Sequence, residues 1–327
     1  MNTAVNWGIL GAAKFAQEHM APAIHAAKGA RLAAIATRDP ARAEPFAAFC
    51  SDLRVHDSYD ALLADPAIDA VYVPLPNTLH VEWAAKALRA GKHVLVEKPV
   101  AMQADEIDPL IALRDETGLL AAEAYMIVHH PQWQRVRDLL SVGAIGQLMH
   151  VNGLFSYHNG DQPGNIRNSA AMGGGGLPDI GVYTIGSARF ATGQEPVSID
   201  ARIEWENGVD VKTEIWGQFE GFSYFTMISM RMQPYQEMLF HGSAGYIKVK
   251  TPFNARVFGE AQVEYCIGDG PVQVERWPSD DHYVHQVEAF CTSVRTGAAY
   301  PWTLEDAKGT QAVIDRVFAA AGPAPAD

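Results

Sequence analysis

Cysteine is scarce in this sequence of 327 residues. Its three cysteines, Cys50, Cys266 and Cys291, are odd in number and lie far apart, without Cys-x-x-Cys or Cys/His metal spacing. This excludes a disulfide framework of the kind that holds small secreted domains together. We therefore predict buried, reduced thiols in a cytoplasmic protein.

Basic residues are also in the minority. The 25 lysines and arginines are outnumbered by 38 acidic residues, and the net charge is −13 at pH 7. A surface with this balance repels the phosphate backbone of nucleic acids and anionic membranes. The sequence has no uninterrupted apolar stretch long enough to span a bilayer, and it begins without the basic and apolar regions of a signal peptide. We therefore predict no nucleic-acid partner and no membrane partner.

Metal-binding patterns are lacking despite twelve histidines. His282 and His285 share a face of a predicted helix, and His129 is adjacent to His130. Neither pair has a third histidine at helical spacing, which would supply a further ligand for a metal centre. The sequence predicts no metal site.

The first third of the chain alternates between apolar strands and helices. The strands are "VNWGILGAA", "RLAAIAT", "AVYVPLP" and "HVLVEKP". Runs this apolar are typical of central strands in a parallel sheet that is covered on both faces. With helices between them, they predict an α/β fold with a doubly wound parallel sheet and right-handed crossovers.

The pattern changes to alternating strands from about residue 148. Segments such as "VSIDARIEW" and "VDVKTEIWGQF" have period two and are not separated by helices, which favours a mainly antiparallel sheet. "HGSAGYIKV" is typical of a hairpin with Gly242 and Gly245 at its turn. We predict two domains, a dinucleotide-binding domain over residues 1–122 and a second, α+β domain over residues 123–327.

The turn after the first strand resembles a dinucleotide fingerprint. The pattern G-x-G-x-x-G falls on Gly11, Ala13 and Ala16, so only its first position is glycine. Small residues still let the backbone approach a pyrophosphate at a helix N-terminus, although they also serve packing alone. The residues predicted to contact the cofactor here are Gly11, Ala12, Ala13, Lys14 and Phe15.

The end of the second strand indicates which dinucleotide is bound. NAD-binding folds usually carry an acidic residue there for the ribose hydroxyls, but this strand ends in Thr37-Arg38. A hydroxyl next to a guanidinium suits a 2′-phosphate, so we predict NADP(H) in preference to NAD(H). Asp39-Pro40 follows and is explained by a helix N-cap. The alternative is that Arg38 is a surface arginine.

Two further strands end in residues unlike their apolar bodies. "VLVEKPVAM" places Glu97, Lys98 and Pro99 after a buried run, where a solvated strand end is the simplest alternative. The carboxyl ends of strands in a doubly wound sheet line the ligand crevice, so these side chains are expected at a cofactor site. The same rule applies to "PLPNTLH", which adds four cofactor-binding candidates: Leu75, Pro76, Asn77 and His80.

Several of these segments together resemble a known family. "WGILGAAKFA", "VYVPLPNTLH", "GKHVLVEKP", "EAYM", "GAIGQLMHV" and "NIRNSAAMGGGGLPDIGVY" are similar to the glucose–fructose oxidoreductase, inositol dehydrogenase and rhizopine-catabolism (Gfo/Idh/MocA) family. The resemblance covers nearly the whole chain. It implies an N-terminal Rossmann domain and a C-terminal α+β domain whose open, mainly antiparallel sheet commonly forms the subunit interface.

The resemblance also implies site residues. Lys98 is similar to the family's catalytic lysine, and Asp179 and Tyr183 match its later motif. Asp179 and Tyr183 are four residues apart on a predicted helix and should share one face. A helix cap is the alternative role for Asp179. Further substrate contacts are expected from Tyr157, Asn165 and Arg167.

These residues imply an oxidoreductase that transfers a hydride between NADP(H) and a CH–OH or C=O group of a sugar or cyclic polyol. Tyr183 is favoured as the direct acid–base, with Lys98 assisting it, although the residues leave open which of the two touches the substrate oxygen. Alternatives are a trans-dihydrodiol dehydrogenase, a 1,5-anhydrofructose reductase or a dinucleotide-binding regulator without turnover.

We also predict a homodimer or homotetramer formed through the C-terminal sheet. One face of that sheet should carry more apolar residues than two helices can cover. The residues expected there are Trp205, Ile215, Phe222 and Phe225.

Overall fold

The computed structural model describes residues 4–324, and they form two compact units. The first unit comprises the described residues up to His129 together with Asp281–Lys308. The second comprises His130–Asp280 together with the described residues from Gly309 onward. The boundary between the two predicted domains, at residues 122 and 123, stays a prediction.

Strands and helices succeed one another along the described chain. The strands are β1 (Val5–Leu10), β2 (Ala30–Ala36), β3 (Arg54–His56), β4 (Ala70–Val73), β5 (His93–Val96), β6 (Ala121–Glu123), β7 (Leu148–His158), β8 (Ser198–Glu206), β9 (Val209–Phe219), β10 (Phe222–Ser229), β11 (Arg231–Gly242), β12 (Gly245–Val249), β13 (Ala261–Ile267) and β14 (Gln273–Trp277). The α-helices are α1 (Ala21–Ala26), α2 (Glu44–Ala47), α3 (Tyr59–Leu63), α4 (His80–Arg89), α5 (Asp108–Thr117), α6 (Pro131–Ser141), α7 (Val182–Thr192), α8 (His282–Thr296) and α9 (Leu304–Ala321).

A parallel sheet forms the centre of the first unit. Its strand order is β3-β2-β1-β4-β5-β6, and every neighbouring pair is parallel. This confirms the predicted doubly wound α/β fold. The order reverses between β1 and β4, and at such a point the carboxyl ends of the strands leave a crevice for a ligand. The chain enters that edge at Gly11, Thr37, Pro74 and Glu97.

An eight-stranded sheet forms the centre of the second unit, in the order β14-β13-β12-β11-β7-β10-β9-β8. Its pairs are antiparallel except for β7 and β10, which are parallel. The predicted hairpin is confirmed, because Gly242 at the end of β11 pairs with Gly245 at the start of β12. β13 and β14 extend the sheet beyond the strands predicted from the sequence.

The prediction of which residues lie on the open face of this sheet was wrong in detail. Ile215 and Phe222 are buried, and the ring of Trp205 stacks on Phe318 of α9 at 5.9 Å. Phe225 is paired across the strands with Trp216, so the two rings lie on the same face, and 45% of Trp216 is exposed. Side chains on successive strand residues point to opposite faces of a sheet. Phe222 and Phe225 are three residues apart on β10, so they lie on opposite faces, and the four predicted residues cannot share one face.

Three simpler expectations can also be compared with the structure. The cysteines are free, but only Cys50 and Cys291 are buried, whereas Cys266 is partly exposed on β13. None of the helices in residues 4–324 combines the length and hydropathy that crossing a membrane requires. Within the same residues, no group of three or more histidine, cysteine or acidic side chains is placed to hold a metal.

Candidate active site

The turn after β1 has the backbone shape of a dinucleotide loop. Gly11 has φ +98°, a conformation that L side chains rarely adopt, and a Cβ there would lie 3.1 Å from the Tyr59 hydroxyl. Ala12, Ala13 and Phe15 are only partly buried and Lys14 is exposed, so this backbone is open to a ligand. Ala16, at the third fingerprint position, is fully buried and serves packing. The first position therefore requires glycine, whereas the third requires only a small residue.

The turn after β2 carries exposed positive charge. Arg38 is exposed, whereas the Thr37 hydroxyl is mostly buried and donates to the Asp39 carbonyl oxygen at 3.2 Å. Asp39 Oδ1 accepts from the Ala41 N–H, which confirms the predicted helix cap. A second arginine lies here, since Arg42 donates to the Ala12 carbonyl oxygen at 2.8 Å. This guanidinium links the two turns at the end of β1 and β2.

His80 has a different position from the one predicted. It is fully buried, and its Nδ1 and Nε2 lie 2.7 Å and 2.8 Å from the carbonyl oxygens of Pro99 and Leu75. Burial lowers the pKa of this histidine. Because both ring nitrogens contact the backbone, the side chain is not available to a cofactor, and it ties the turn after β4 to the turn after β5. The side chain of Leu75 is also largely buried, whereas Pro76 and Asn77 are partly exposed.

Glu97 and Lys98 lie at the carboxyl edge of the sheet, and both are partly buried. The Tyr72 hydroxyl donates to Glu97 Oε1, and the Lys98 N–H donates to Glu97 Oε2 at 3.3 Å. The Lys98–Pro99 peptide bond is cis. The turn is thus held by contacts of its neighbours and its backbone. Glu97 is not simply a solvated charge at the end of a strand, because its carboxylate is hydrogen-bonded within the fold.

In the second unit, the structure brings three predicted substrate residues together. Asp179 Oδ2 accepts from the Tyr157 hydroxyl at 2.6 Å and from Arg167 Nε at 2.7 Å. The adjacent negative charge of Asp179 raises the pKa of Arg167, and burial raises the pKa of Tyr157. The alternative role of Asp179 as a helix cap does not hold, because its carboxylate contacts side chains from two other segments. We call Tyr157, Arg167 and Asp179 the carboxylate cluster.

Tyr183 lies on the same helical segment as Asp179, but the segment is not a uniform α-helix. Leu177–Gly181 form a π-helical turn before α7 begins at Val182. Only 6% of Tyr183 is exposed, and its ring stacks on Phe253 at 5.6 Å and lies 6.0 Å from Phe155. Tyr183 follows Asp179 by four residues along this segment. Tyr183 is therefore packed beside the carboxylate cluster.

Asn165 has a local contact that the sequence did not indicate. Its Oδ1 accepts from the Arg167 N–H at 3.1 Å and begins the short helix Ile166–Asn168. It thus orients the backbone that carries Arg167. A direct substrate contact by Asn165 stays a prediction.

Asp210 of β9 was missed by the sequence analysis. This buried carboxylate accepts from the Leu177 N–H at 2.6 Å, and a Cβ on Gly175 would lie 2.2 Å from its Oδ1. Burial raises the pKa of Asp210 to about 7. The glycine run is therefore needed for close approach to a carboxylate of the protein itself, and Asp210 anchors the start of the segment that carries Asp179.

The missed residues share one property. Arg42, Glu123 and Asp210 act through contacts with residues remote in sequence, so no local spacing marks them. A weak signal existed for Glu123, because it ends β6 at the same edge of the sheet where Glu97 follows β5. Asp210 has no such signal, because Lys212 and Glu214 follow it at period two on the same strand.

The chain is similar to characterised and uncharacterised oxidoreductases over almost its full length. It is 37% identical over 320 residues to an uncharacterized oxidoreductase of Rhizobium meliloti, covering 96% of each chain. It is 32% identical to D-xylose 1-dehydrogenase (NADP(+)) 2 of Haloferax volcanii, covering 96% of this chain and 97% of that one.

A solved structure with the same fold is that of KijD10, a 3-ketoreductase from Actinomadura kijaniata, in complex with NADP and TDP-benzene. The TM-score is 0.87 at 32% identity, covering 96% of this chain and 97% of that one. The same enzyme has been solved with one lysine replaced by glutamate or alanine, and with one tyrosine replaced by phenylalanine.

Models of one family match both parts of the chain. Residues 5–125 match the oxidoreductase family with an NAD-binding Rossmann fold, and residues 133–248 match the GFO/IDH/MocA C-terminal domain. Together with the relatives that align over the whole chain, these matches show that this protein belongs to the GFO/IDH/MocA family of oxidoreductases.

Proposed function

We propose that this oxidoreductase uses NADP(H) and acts on a CH–OH or C=O group of a sugar or cyclic polyol. The observation that carries the proposal is the carboxylate cluster, in which Asp179 is hydrogen-bonded to Tyr157 and Arg167. Charged and hydroxyl groups of this kind bind vicinal hydroxyls, which both donate and accept hydrogen bonds. A trans-dihydrodiol has one such pair of hydroxyls, whereas a sugar or cyclic polyol has several, so the sugar would make more hydrogen bonds with the cluster.

The first unit fits a nicotinamide dinucleotide. The backbone of Gly11–Phe15 is open at the start of a helical segment, where a pyrophosphate is favoured. Arg38 is exposed at the end of β2, and Arg42 lies against the Ala12 carbonyl. In our proposal Gly11–Phe15 bind the pyrophosphate, Arg38 binds the 2′-phosphate with Thr37 shaping its turn, and Leu75–Asn77 with Glu97 line the rest of the site. When bound, the nicotinamide supplies or accepts the hydride.

Removing Arg38 tests the cofactor preference. Arg38→Ala should weaken NADPH binding by about 1.5–3 kcal/mol, because a hydrogen-bonded charge partner of the 2′-phosphate is lost. NADH binding should change little. Both affinities can be measured by fluorescence titration, with Arg31→Ala as control, since Arg31 lies at the opposite end of β2 and pairs with Asp52. Equal losses for both cofactors, or tighter NADH binding by the parent protein, would contradict the preference.

The chain's own residues handle the proton of the reacting group. In our proposal Tyr183 exchanges a proton with the substrate oxygen, and Lys98 stabilises the charge that develops in that step. Asp179 accepts a hydrogen bond from a substrate hydroxyl, while Tyr157 and Arg167 hold its carboxylate in place. Assignment of the direct acid–base role to Tyr183 rests on its place four residues after Asp179, on the helical segment that carries the carboxylate of the cluster.

Two relatives support the substrate class and the cofactor. One is named as a D-xylose dehydrogenase that uses NADP(+), and the solved 3-ketoreductase holds NADP and TDP-benzene. Turnover of a panel of aldoses, polyols, keto sugars and trans-dihydrodiols, followed by the absorbance of the reduced cofactor, tests the proposal. Turnover of the dihydrodiols alone would favour the alternative enzyme, and binding of NADPH without any turnover would favour a regulator. We keep the cytoplasm as the proposed location, in accord with the free thiols.

We further propose that two copies of the chain associate through the open face of the eight-stranded sheet. Its central strands present the apolar side chains of Leu154, Trp216, Phe225, Met227 and Leu239 on one face, all at least partly exposed. Contiguous apolar surface of this kind usually marks an interface. The twofold axis of a dimer would bring the same patch of each copy together.

A single charge within this apolar patch should separate the copies. Trp216→Glu would place a carboxylate in the apolar contact, so sedimentation at micromolar concentration should change from a dimer or tetramer to a monomer. Val142→Glu is the control, because Val142 is 77% exposed at the end of α6 and lies off the sheet. A monomeric parent protein, or a Trp216→Glu variant that stays associated, would contradict the proposed interface.

A further inference from the structure

Glu123 is a buried carboxylate at the edge of the sheet that carries Lys98. It ends β6 and is only 2% exposed. Its Oε1 accepts from the Val100 N–H at 3.2 Å, and its Oε2 accepts from Trp302 Nε1 at 2.9 Å. Val100 is two residues after Lys98 on the same turn. A buried carboxylate therefore anchors the far side of the turn that presents Lys98.

The anchor is itself firmly held. Trp302 is 2% exposed, and its ring stacks on Tyr125 at a centroid distance of 4.6 Å. The other contacts to the turn come from Tyr72, which donates to Glu97, and from His80, which lies against the Pro99 carbonyl. Glu123 is the acidic side chain among these three, and it approaches the turn from β6.

Both groups that are hydrogen-bonded to the Glu123 carboxylate are donors. An ionised carboxylate only accepts hydrogen bonds, so its two oxygens match the Val100 N–H and the Trp302 indole N–H. A protonated carboxyl would turn one oxygen into a donor that faces another donor. The contacts to the lysine turn are therefore complete only when Glu123 is charged.

The surroundings bring the ionisation of Glu123 into the neutral range. Burial raises the pKa of Glu123 to about 7, the negative charge of Glu97 also raises it, and the Trp302 and Val100 hydrogen bonds and the positive charge of Lys98 lower it. A third titratable group, Tyr300, faces Glu123 from the segment before α9. The hydroxyl of Tyr300 lies 3.1 Å from His129 Nε2. Burial lowers the pKa of His129 to about 3, so that group does not titrate near neutrality.

We propose that Glu123 is the positioning residue of Lys98, and that its ionised form holds the turn of residues 97–100 in the arrangement used for proton transfer. The inference rests on the proposed function for the role of Lys98, but the link between Glu123 and the turn does not require turnover. Protonation of Glu123 weakens the anchor and removes a negative charge facing Lys98. Lowering the pH through neutrality therefore protonates Glu123 and lowers the activity of the enzyme.

The first arm of the test needs no substrate. The sequence has seven tryptophans, and the indole N–H signal of Trp302 can be assigned in the NMR spectrum of tryptophan-labelled protein by its loss in Trp302→Phe. In the parent protein this signal should shift with pH with a midpoint of about 7. It should not shift in Glu123→Gln, whose amide does not ionise. A Trp302 signal that is flat between pH 5 and pH 9, about two units either side of that midpoint, would overturn the proposal.

The second arm measures turnover across the same pH range. Glu123→Gln resembles the protonated form, so its kcat should equal that of the parent at low pH and fall about tenfold below it above pH 7. A purely structural defect would lower kcat by one factor at every pH, and that result would overturn the positioning role. Trp302→Phe keeps the charge of Glu123 but frees one oxygen, so its pH profile should keep the step.

Glu106→Gln is the matched control. Its carboxylate also accepts backbone N–H groups near this turn, from Met102 and Gln103, but it is exposed and caps a short helix. Its profile should follow that of the parent. If Lys98→Met retained activity while the Trp302 signal still titrated with Glu123, the proposed role of Lys98 would fail, whereas the anchoring of the turn by Glu123 would stand.

Discussion

Replacing Lys98 by methionine should lower kcat by about 10²–10⁴-fold, the usual effect of losing a group that assists proton transfer. The loss should be chemical and not structural. The turn around Lys98 is held by Tyr72, His80 and Glu123, and the hydrogen bond from Lys98 to Glu97 Oε2 is donated by the backbone N–H, which methionine keeps. Methionine preserves most of the length of the side chain and removes its charge.

NADPH binding should survive in Lys98→Met, because the proposed contacts to the pyrophosphate and the 2′-phosphate come from Gly11–Phe15 and Arg38. Fluorescence titration and turnover measured on the same preparation separate the two effects. Lys86→Met is the control, since Lys86 is an exposed residue of α4 that pairs with Glu82. If the activity of Lys98→Met were within a few-fold of the parent, Glu97-Lys98-Pro99 would be an ordinary strand end.

Replacing Tyr183 by phenylalanine should cause a loss of similar size, about 10²–10⁴-fold in kcat. Phenylalanine keeps the ring contacts with Phe155 and Phe253, so the protein should still fold, which the thermal unfolding midpoint checks. Tyr265→Phe is the control in the same unit, because its hydroxyl is hydrogen-bonded to Gln273 and Glu275 instead. Full activity in Tyr183→Phe would move the direct acid–base role to Lys98.

The double variant distinguishes joint from independent action. If Lys98 and Tyr183 serve the same proton transfer, the variant that lacks both should lose much less than the product of the two single losses, because groups that work as a unit are not additive. Multiplicative losses would show that the two residues contribute to separate steps. Residual turnover in the double variant would come from binding and orientation of the substrate alone.

Much of the site could be predicted where the chemistry follows directly from position in a strand. Gly11, Arg38 and Lys98 each follow a buried strand of a parallel sheet, and such positions meet at one edge of the sheet whatever the loops do. His80 follows the same rule and yet has another role. Its position after β4 was predicted, but the direction of its ring was decided by two carbonyl groups, one of them 19 residues away along the chain.

The sequence by itself determined the fold class, the hairpin at Gly242–Gly245 and the residue types at the sheet edge, because hydrophobic period and turn chemistry are local properties. Tertiary structure alone decided the partners of Asp179, the approach of Asp210 to the glycine run and the anchoring of Val100 by Glu123. It also decided which aromatic residues lie on the open face of the sheet. The register of a strand sets which of its side chains point to each face, and a shift of the register by one residue exchanges the two faces. A buried polar group acquires its role from donors that folding brings to it, and those donors come from other segments of the chain.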